Sequence, residues 1–251
     1  MSGIATAPEV LTPEWLAPRA VRAAFTLRRG GVSIAPFDSL NLGAHVGDAP
    51  DAVAENRRRV NAGLNLPAEP AWLEQVHGTR VADLDAPGEA GHAPADAVMT
   101  RRAGKVCAVQ VADCMPILFA ARDASAVAVA HAGWRGLAAG VLEATVAKLG
   151  ITGRELIAWL GPAISARHFE VGDEVRTAFL ERDPGARAAF VANPRGRWLC
   201  DLATLARQRL AALGVAEVSG GNWCTYADPT RFFSFRRDGR CGRMAALIWL
   251  T

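Results

Sequence analysis

Apolar positions along the chain change period several times, and each change marks an element. Residues 21–27 (VRAAFTL) form a compact apolar run that predicts a first strand, broken by the glycine pair of RRGGVS. The stretch SLNLGAHVGD reads as a polar, glycine-punctuated loop. A helix follows, with Val53, Val60 and Leu64 near helical spacing, Pro50 suited to its first turn, and Asp48 or Asp51 as its cap. Four short segments rich in Val, Ala and Ile then read as buried strands: 71–84, 105–114, 116–122 and 126–134. At residues 136–150 the period becomes helical, with Leu137, Val141, Leu142, Thr145, Val146 and Leu149 on one face and Gly150 as C-terminal cap. Residues 155–164 return to strand, 172–182 and 201–214 to helix, and 243–250 close the chain with a strand. Strands occur in adjacent pairs as well as alternating with helices. The pattern predicts an α/β (mixed α+β) fold, a layered sandwich of mixed β-sheets flanked by helices, with residues 1–251 as a single domain.

Composition narrows the function classes. The 251 residues, 51% hydrophobic, are enough to fill a sizeable core. A net charge of +3, from 28 basic residues among 25 acidic ones, gives no reason to expect a nucleic-acid or membrane-surface protein. No run approaches a membrane span, and the first residues lack the basic and apolar regions of a secretory signal, so a cytoplasmic location is expected. The five cysteines are odd in number, widely spaced and without a CxxC pair, which predicts free thiols.

Three segment ends carry metal-competent side chains: His77 in EQVHG, Cys114 in ADCMP and His131 in VAHAGW. Each stands where an extended segment stops and the backbone turns. They are too far apart for a local finger, and buried Cys or His residues often serve packing alone. Were the strand ends to meet, one Cys and two His would suit Zn²⁺ and leave a fourth position open for water or substrate.

The motifs FTLRRGGVS, SLNLGAHVGD, ENRRRV, LEQVHGTRV, ADAVMT, VADCMPILF, AHAGWRGLAAG, GPAI with FEVGDEV, and SFRRDGRCGRMAALIWL resemble, in order, those of the laccase-domain (YfiH-like) family. That family is also called polyphenol oxidase or peptidoglycan editing factor. The resemblance implies zinc at His77, Cys114 and His131, with copper able to occupy the site in vitro. It implies purine nucleoside phosphorylase activity on adenosine, inosine, guanosine and methylthioadenosine, with adenosine deaminase activity alongside. The older multicopper reading conflicts with composition, because five histidines cannot supply several copper centres, and His45, His92 and His168 show no cluster spacing. Familiar zinc deaminases carry H-x-E with P-C-x-x-C, and this chain has neither.

Within those motifs, Asp113 is expected to accept hydrogen bonds from the site or to move a proton, Glu74 being a second guess for the proton. Arg135 is expected to act in catalysis, and Arg28, Asn41 and Arg236 to bind substrate. The expected partners are a nucleoside and phosphate, with neither nucleic acid nor membrane, and the chain is taken as a monomer. Two alternatives stay open. One is a Cys–His or zinc amidase acting on peptidoglycan precursors with Cys114 as nucleophile. The other is a non-catalytic nucleotide- or partner-binding module built on Arg231 to Arg243, with Phe232, Phe233 and Phe235 stacking on bases.

Overall fold

The computed structural model describes residues 7–87 and 94–251; His92 lies outside the described residues. In chain order the first strands are β1 (Val10–Leu11), β2 (Val21–Thr26), β3 (Val81–Asp83), β4 (Ala97–Thr100), β5 (Val106–Val111), β6 (Met115–Ala121) and β7 (Val127–Ala132). They are followed by β8 (Leu156–Leu160), β9 (Glu170–Val171), β10 (Phe190–Ala192), β11 (Trp198–Cys200), β12 (Glu217–Gly220) and β13 (Met244–Leu250). The helices are α1 (Pro50–Leu64), α2 (Trp134–Ala139), α3 (Val141–Leu149), α4 (Asp173–Leu180), α5 (Leu202–Ala212) and α6 (Phe235–Asp238).

Two sheets make the body of the fold. One is antiparallel, in the order β1-β2-β13-β5; the other is mixed, in the order β12-β8-β6-β7-β4-β3, with parallel pairs only at its two edges. A small sheet β10-β11-β9 lies apart from both. Period-two alternation sends successive side chains of the inner strands to opposite faces, and both faces are covered. In β5, Cys107, Val109 and Val111 join Leu118 and Ala120 of β6 and Val127 and Val129 of β7 in a core between the sheets. Val106 and Ala108, the alternate residues of β5, pack with Leu247 and Trp249 of β13 and Val60 of α1. On the far side, Ile117 and Phe119 of β6 and Leu156 and Leu160 of β8 pack with Leu137, Leu142, Val175 and Leu205 from α2 to α5. The result is four layers: helix, sheet, sheet, helices. Each fully buried Leu or Phe in them contributes about 1.5–3 kcal/mol of transfer free energy.

The expected mixed α+β sandwich is therefore the observed class, and four local readings change. Residues 136–150 form two helices instead of one, because Gly140 (φ 106°) turns left-handed between α2 and α3. Of residues 71–84 only Val81–Asp83 is strand; the rest is irregular and carries His77. Helix α1 starts at Pro50 with no side-chain cap, since Asp48 is engaged by Ser33 and Asn41 instead, and Asp51 sits in the first turn. Phe232 and Phe233 are wholly buried in the core between the sheets, which leaves only Phe235 of that trio available to stack on anything. No helix among the described residues is long and apolar enough to cross a membrane.

Candidate metal centre

The chain passes from the antiparallel sheet to the mixed sheet through Ala112-Asp113-Cys114, between β5 and β6. Asp113 makes that turn with φ 87°, a conformation costly for a residue with a side chain. Cys114 thus stands at the start of β6. Register then brings two further residues to the same end of the sheet: β6 pairs Pro116 with His131 near the end of β7, and β7 pairs Ala130 with Ala97 at the start of β4, next to Asp96. The His131 N–H donates to the Asp96 carbonyl at 2.7 Å, extending the ladder by one step.

Asp96 organises the centre. It is fully buried, and its carboxylate accepts from the backbone N–H groups of Val76 (3.1 Å), His77 (2.9 Å) and Gly78 (2.6 Å). It also accepts from Nδ1 of His131 at 2.8 Å. One side chain therefore folds the irregular segment that carries His77 (φ 60°) and fixes the ring of His131, leaving Nε2 to face inward. Burial alone would raise the Asp96 carboxyl, but His131 and the amides of Gly78 and Val76 hold it below its ordinary value. Sequence reasoning passed over Asp96 as an acid in the motif ADAVMT; an acid abutting a wholly buried strand was the available signal.

With this support the donor atoms of His77, Cys114 and His131 all lie within 4.8 Å of one another, the only such group among the described residues. Cys114 Sγ is 3.8 Å from His77 Nε2, and the two imidazole rings meet edge to face at 4.8 Å. Bond lengths of about 2.3 Å to sulfur and 2.0 Å to nitrogen place tetrahedral ligand atoms about 3.5 Å apart, so the set fits a single ion. Burial pushes the Cys114 thiol up, yet His131 and His77 outweigh it and bring it down to about 6. Burial lowers the His131 imidazole, and the thiolate and Asp96 more than offset that, raising it. Gly133 is required here: a Cβ would sit 2.8 Å from Cys114 Sγ and 3.0 Å from a ring carbon of His77.

These donors sit in the wall of a cavity of about 450 Å³, with Trp134, Ile164, Phe169 and Phe235 among its apolar lining. Three guanidinium groups, of Arg135, Arg236 and Arg243, also line it. Arg135 lies over the Trp134 ring at 4.4 Å and makes no hydrogen bond or ion pair among the described residues. Arg236 lies over Phe169 and gives one hydrogen bond, NH1 to the Glu170 carbonyl. Arg243 gives NH1 to the carbonyls of Cys241 and Gly242. His45, also in the lining, is kept below its usual pKa by burial and then by Arg243, Arg57 and His131.

The expected site residues divide. His77, Cys114, His131, Asp113, Arg135 and Arg236 come together in this one cavity. Asp113, its only lining carboxylate among the described residues, accepts from Thr225 Oγ1 (2.5 Å), Ser234 Oγ (3.0 Å) and the Arg236 N–H (2.7 Å). It therefore seats Arg236 and does not touch a metal ligand through its carboxylate; Asp96 takes the acceptor role expected of it. Arg28 and Asn41 do not line the cavity. Arg28 ties the loops together through the carbonyls of Asp38 and Pro229, and stacks on Phe233. Asn41 is buried and holds the Arg243 N–H at 2.9 Å together with the Gly43 backbone, so its contribution is to position Arg243. Glu74 is exposed and outside the lining.

The family described as multi-copper polyphenol oxidoreductase laccase has a sequence model that matches residues 22–251. The chain belongs to this family. Among its laccase-like relatives, a purine nucleoside phosphorylase of Pseudomonas aeruginosa is 56% identical over 242 residues, covering 96% of this chain and 98% of the relative. The purine nucleoside phosphorylase YfiH of Escherichia coli is 52% identical over 242 residues, covering 96% and 99%. The crystal structure of Neisseria meningitidis protein NMB0706 superposes with a TM-score of 0.92 at 49% identity, covering 96% of this chain and 98% of that one. The family description speaks of several coppers. In this member the described residues offer one three-residue donor set, enough for one ion.

Proposed function

We propose that the protein is a zinc-dependent purine nucleoside phosphorylase, converting adenosine, inosine, guanosine or methylthioadenosine and phosphate to the free base and a ribose 1-phosphate. One observation carries the reading: a His-Cys-His donor set shares its cavity with two arginines, Arg135 and Arg236, whose guanidinium groups are free or nearly free, and with a third, Arg243, tied to main-chain carbonyls. The relatives named purine nucleoside phosphorylase support it. His77, Cys114 and His131 would hold the ion, which would supply Lewis acidity at the open end of the site.

The rest of the chemistry falls to the chain. Arg135 and Arg236 bind the phosphate dianion through planar, charge-assisted forks, with Arg243 beside them. A phosphate oxygen bonds to C1′ of the ribose as the C1′–N9 bond breaks. The purine leaves with that electron pair and takes up a proton. Trp134, Phe169 and Phe235 exclude water and offer flat walls to the base. Adenosine deamination belongs to the same reading: water adds at C6 and ammonia departs, from a base held in the same cavity. The Cys–His amidase is the weaker alternative, because both imidazoles converge on one sulfur, an arrangement that suits a ligand set better than a nucleophile with one base.

The test is chromatography of zinc-loaded protein incubated with adenosine, with and without phosphate. Adenine that appears only with phosphate is the expected result, and inosine formed without phosphate establishes the deaminase. Absence of any product refutes the reading.

A further inference from the structure

Gln110 is the last residue but one of β5, before the chain crosses to Cys114, and Gln75 stands two residues ahead of His77. The two glutamines are not equivalent. Gln75 spends both ends of its amide on the main chain of Gln110: Nε2 donates to the Gln110 carbonyl at 2.9 Å, and Oε1 accepts the Gln110 N–H at 2.7 Å. That pairing replaces a ladder partner at the strand's edge and fixes the backbone of Gln110. The side chain of Gln110 is left over. It lines the cavity and is 5% exposed, its Oε1 is buried without any hydrogen-bond partner, and its Nε2 makes none among the described residues. A buried carboxamide oxygen with no donor costs on the order of 1–3 kcal/mol, so such a group in a ligand cavity points to a ligand that satisfies it.

We propose that Gln110 reads the six-membered edge of the purine. This rests on the nucleoside reading of the same cavity and adds the group that recognises the base. A carboxamide presents one acceptor and two donors in a plane. Turned one way, Oε1 accepts the 6-amino group of adenine while Nε2 donates to a neighbouring ring nitrogen. Turned over, Nε2 donates to the 6-oxo oxygen of hypoxanthine or guanine and Oε1 accepts N1–H. The amide can turn over because no protein hydrogen bond fixes it. One residue thereby admits 6-amino and 6-oxo purines to a single active site, which a carboxylate or an ammonium could not do. Pyrimidines are shorter and leave the amide unsatisfied when the ribose is held at the same place.

The test is calorimetric titration of zinc-loaded protein with adenine and with hypoxanthine, with uracil as the control. Wild type, Gln110→Met and Gln110→Glu are compared, and zinc content and melting temperature are recorded for each. Gln110→Met keeps the shape and removes the polar edge, so both purines are expected to bind about tenfold to a hundredfold more weakly. Gln110→Glu offers acceptors only, so each purine keeps one hydrogen bond, from the 6-amino group of adenine or N1–H of hypoxanthine, and sets one lone pair against a carboxylate; both are expected to bind at least about tenfold more weakly than to wild type. Zinc content stays at the wild-type level in both, since the Gln110 side chain makes no hydrogen bond to His77, Cys114 or His131. Purine affinities that both variants leave unchanged would overturn this assignment while the phosphorylase reading stands, the amide then being served by water. If wild-type protein binds neither base and phosphorolyses no nucleoside, the functional reading fails, and this inference with it.

Discussion

Replacing Asp96 by Asn keeps the size of the side chain and changes what it can accept. In the native protein Oδ1 accepts from the His77 N–H and His131 Nδ1, and Oδ2 from the N–H groups of Val76 and Gly78. An amide keeps one oxygen, so two of the four bonds survive and the other two donors face an NH₂ group. Hydrogen bonds to a charged acceptor contribute about 1.5–3 kcal/mol each, so the expected loss is about 3–6 kcal/mol. That is a large fraction of the roughly 5–15 kcal/mol by which a domain is stable. The loss should also vary with pH. A carboxyl held below its unfolded value stabilises the fold above about pH 4 and ceases to do so as pH falls through its folded value. Asp96 is depressed in this way, so wild type and variant should converge in stability as the pH is taken below about 4. Urea unfolding at pH 7 and at descending pH measures both quantities, and competition with a chromophoric chelator measures the ion. Zinc affinity is expected to drop about tenfold to a hundredfold, since His131 loses its orienting carboxylate and His77 its backbone anchor. A stability change under about 1 kcal/mol together with unchanged zinc affinity would refute the claim that one carboxylate holds both histidines.

In metal-free protein, Cys114 should react with iodoacetamide at a rate that rises through about pH 6, well below an ordinary thiol, and bound zinc should abolish the labelling; a midpoint near 8.5 would contradict the imidazole pairing. Because the raised His131 imidazole still carries its proton at pH 7 while the thiol has lost its own, zinc binding should release about one proton per ion, read by titration in buffers of different ionisation enthalpy. Gly133→Ala puts a methyl 2.8 Å from Cys114 Sγ, so zinc affinity should fall at least about tenfold even where the fold survives, and unaltered affinity would count against the close approach. Arg135→Ala removes a guanidinium with no protein hydrogen bond; the melting temperature should hardly move, while the KM for phosphate rises about tenfold or more.

The elements of this protein were legible wherever a residue's surroundings follow from its neighbours in sequence. The runs at β5 to β8 and β13 are wholly buried and read as buried strands from their composition alone. The helical period of α3 and α5 was equally plain, and Asp201 caps α5 as such residues do. The ordered motifs named the family, and with it His77, Cys114 and His131. Which side chains meet was another matter. Asp96 reads as one acid among 25 acidic residues until strand register sets it against His131 and an irregular loop folds over it. Arg28 and Arg236 look alike in sequence, both inside motifs, yet one is consumed by loop carbonyls and the other lines the cavity. Asn41 and Asp113 serve by holding Arg243 and Arg236 in place, roles that exist only because distant segments cross there. Periodicity records how each residue sits against its own strand or helix. The site is made by contacts between segments far apart in the chain, and those depend on sheet order, register and the crossing from one sheet to the other, which no local pattern encodes.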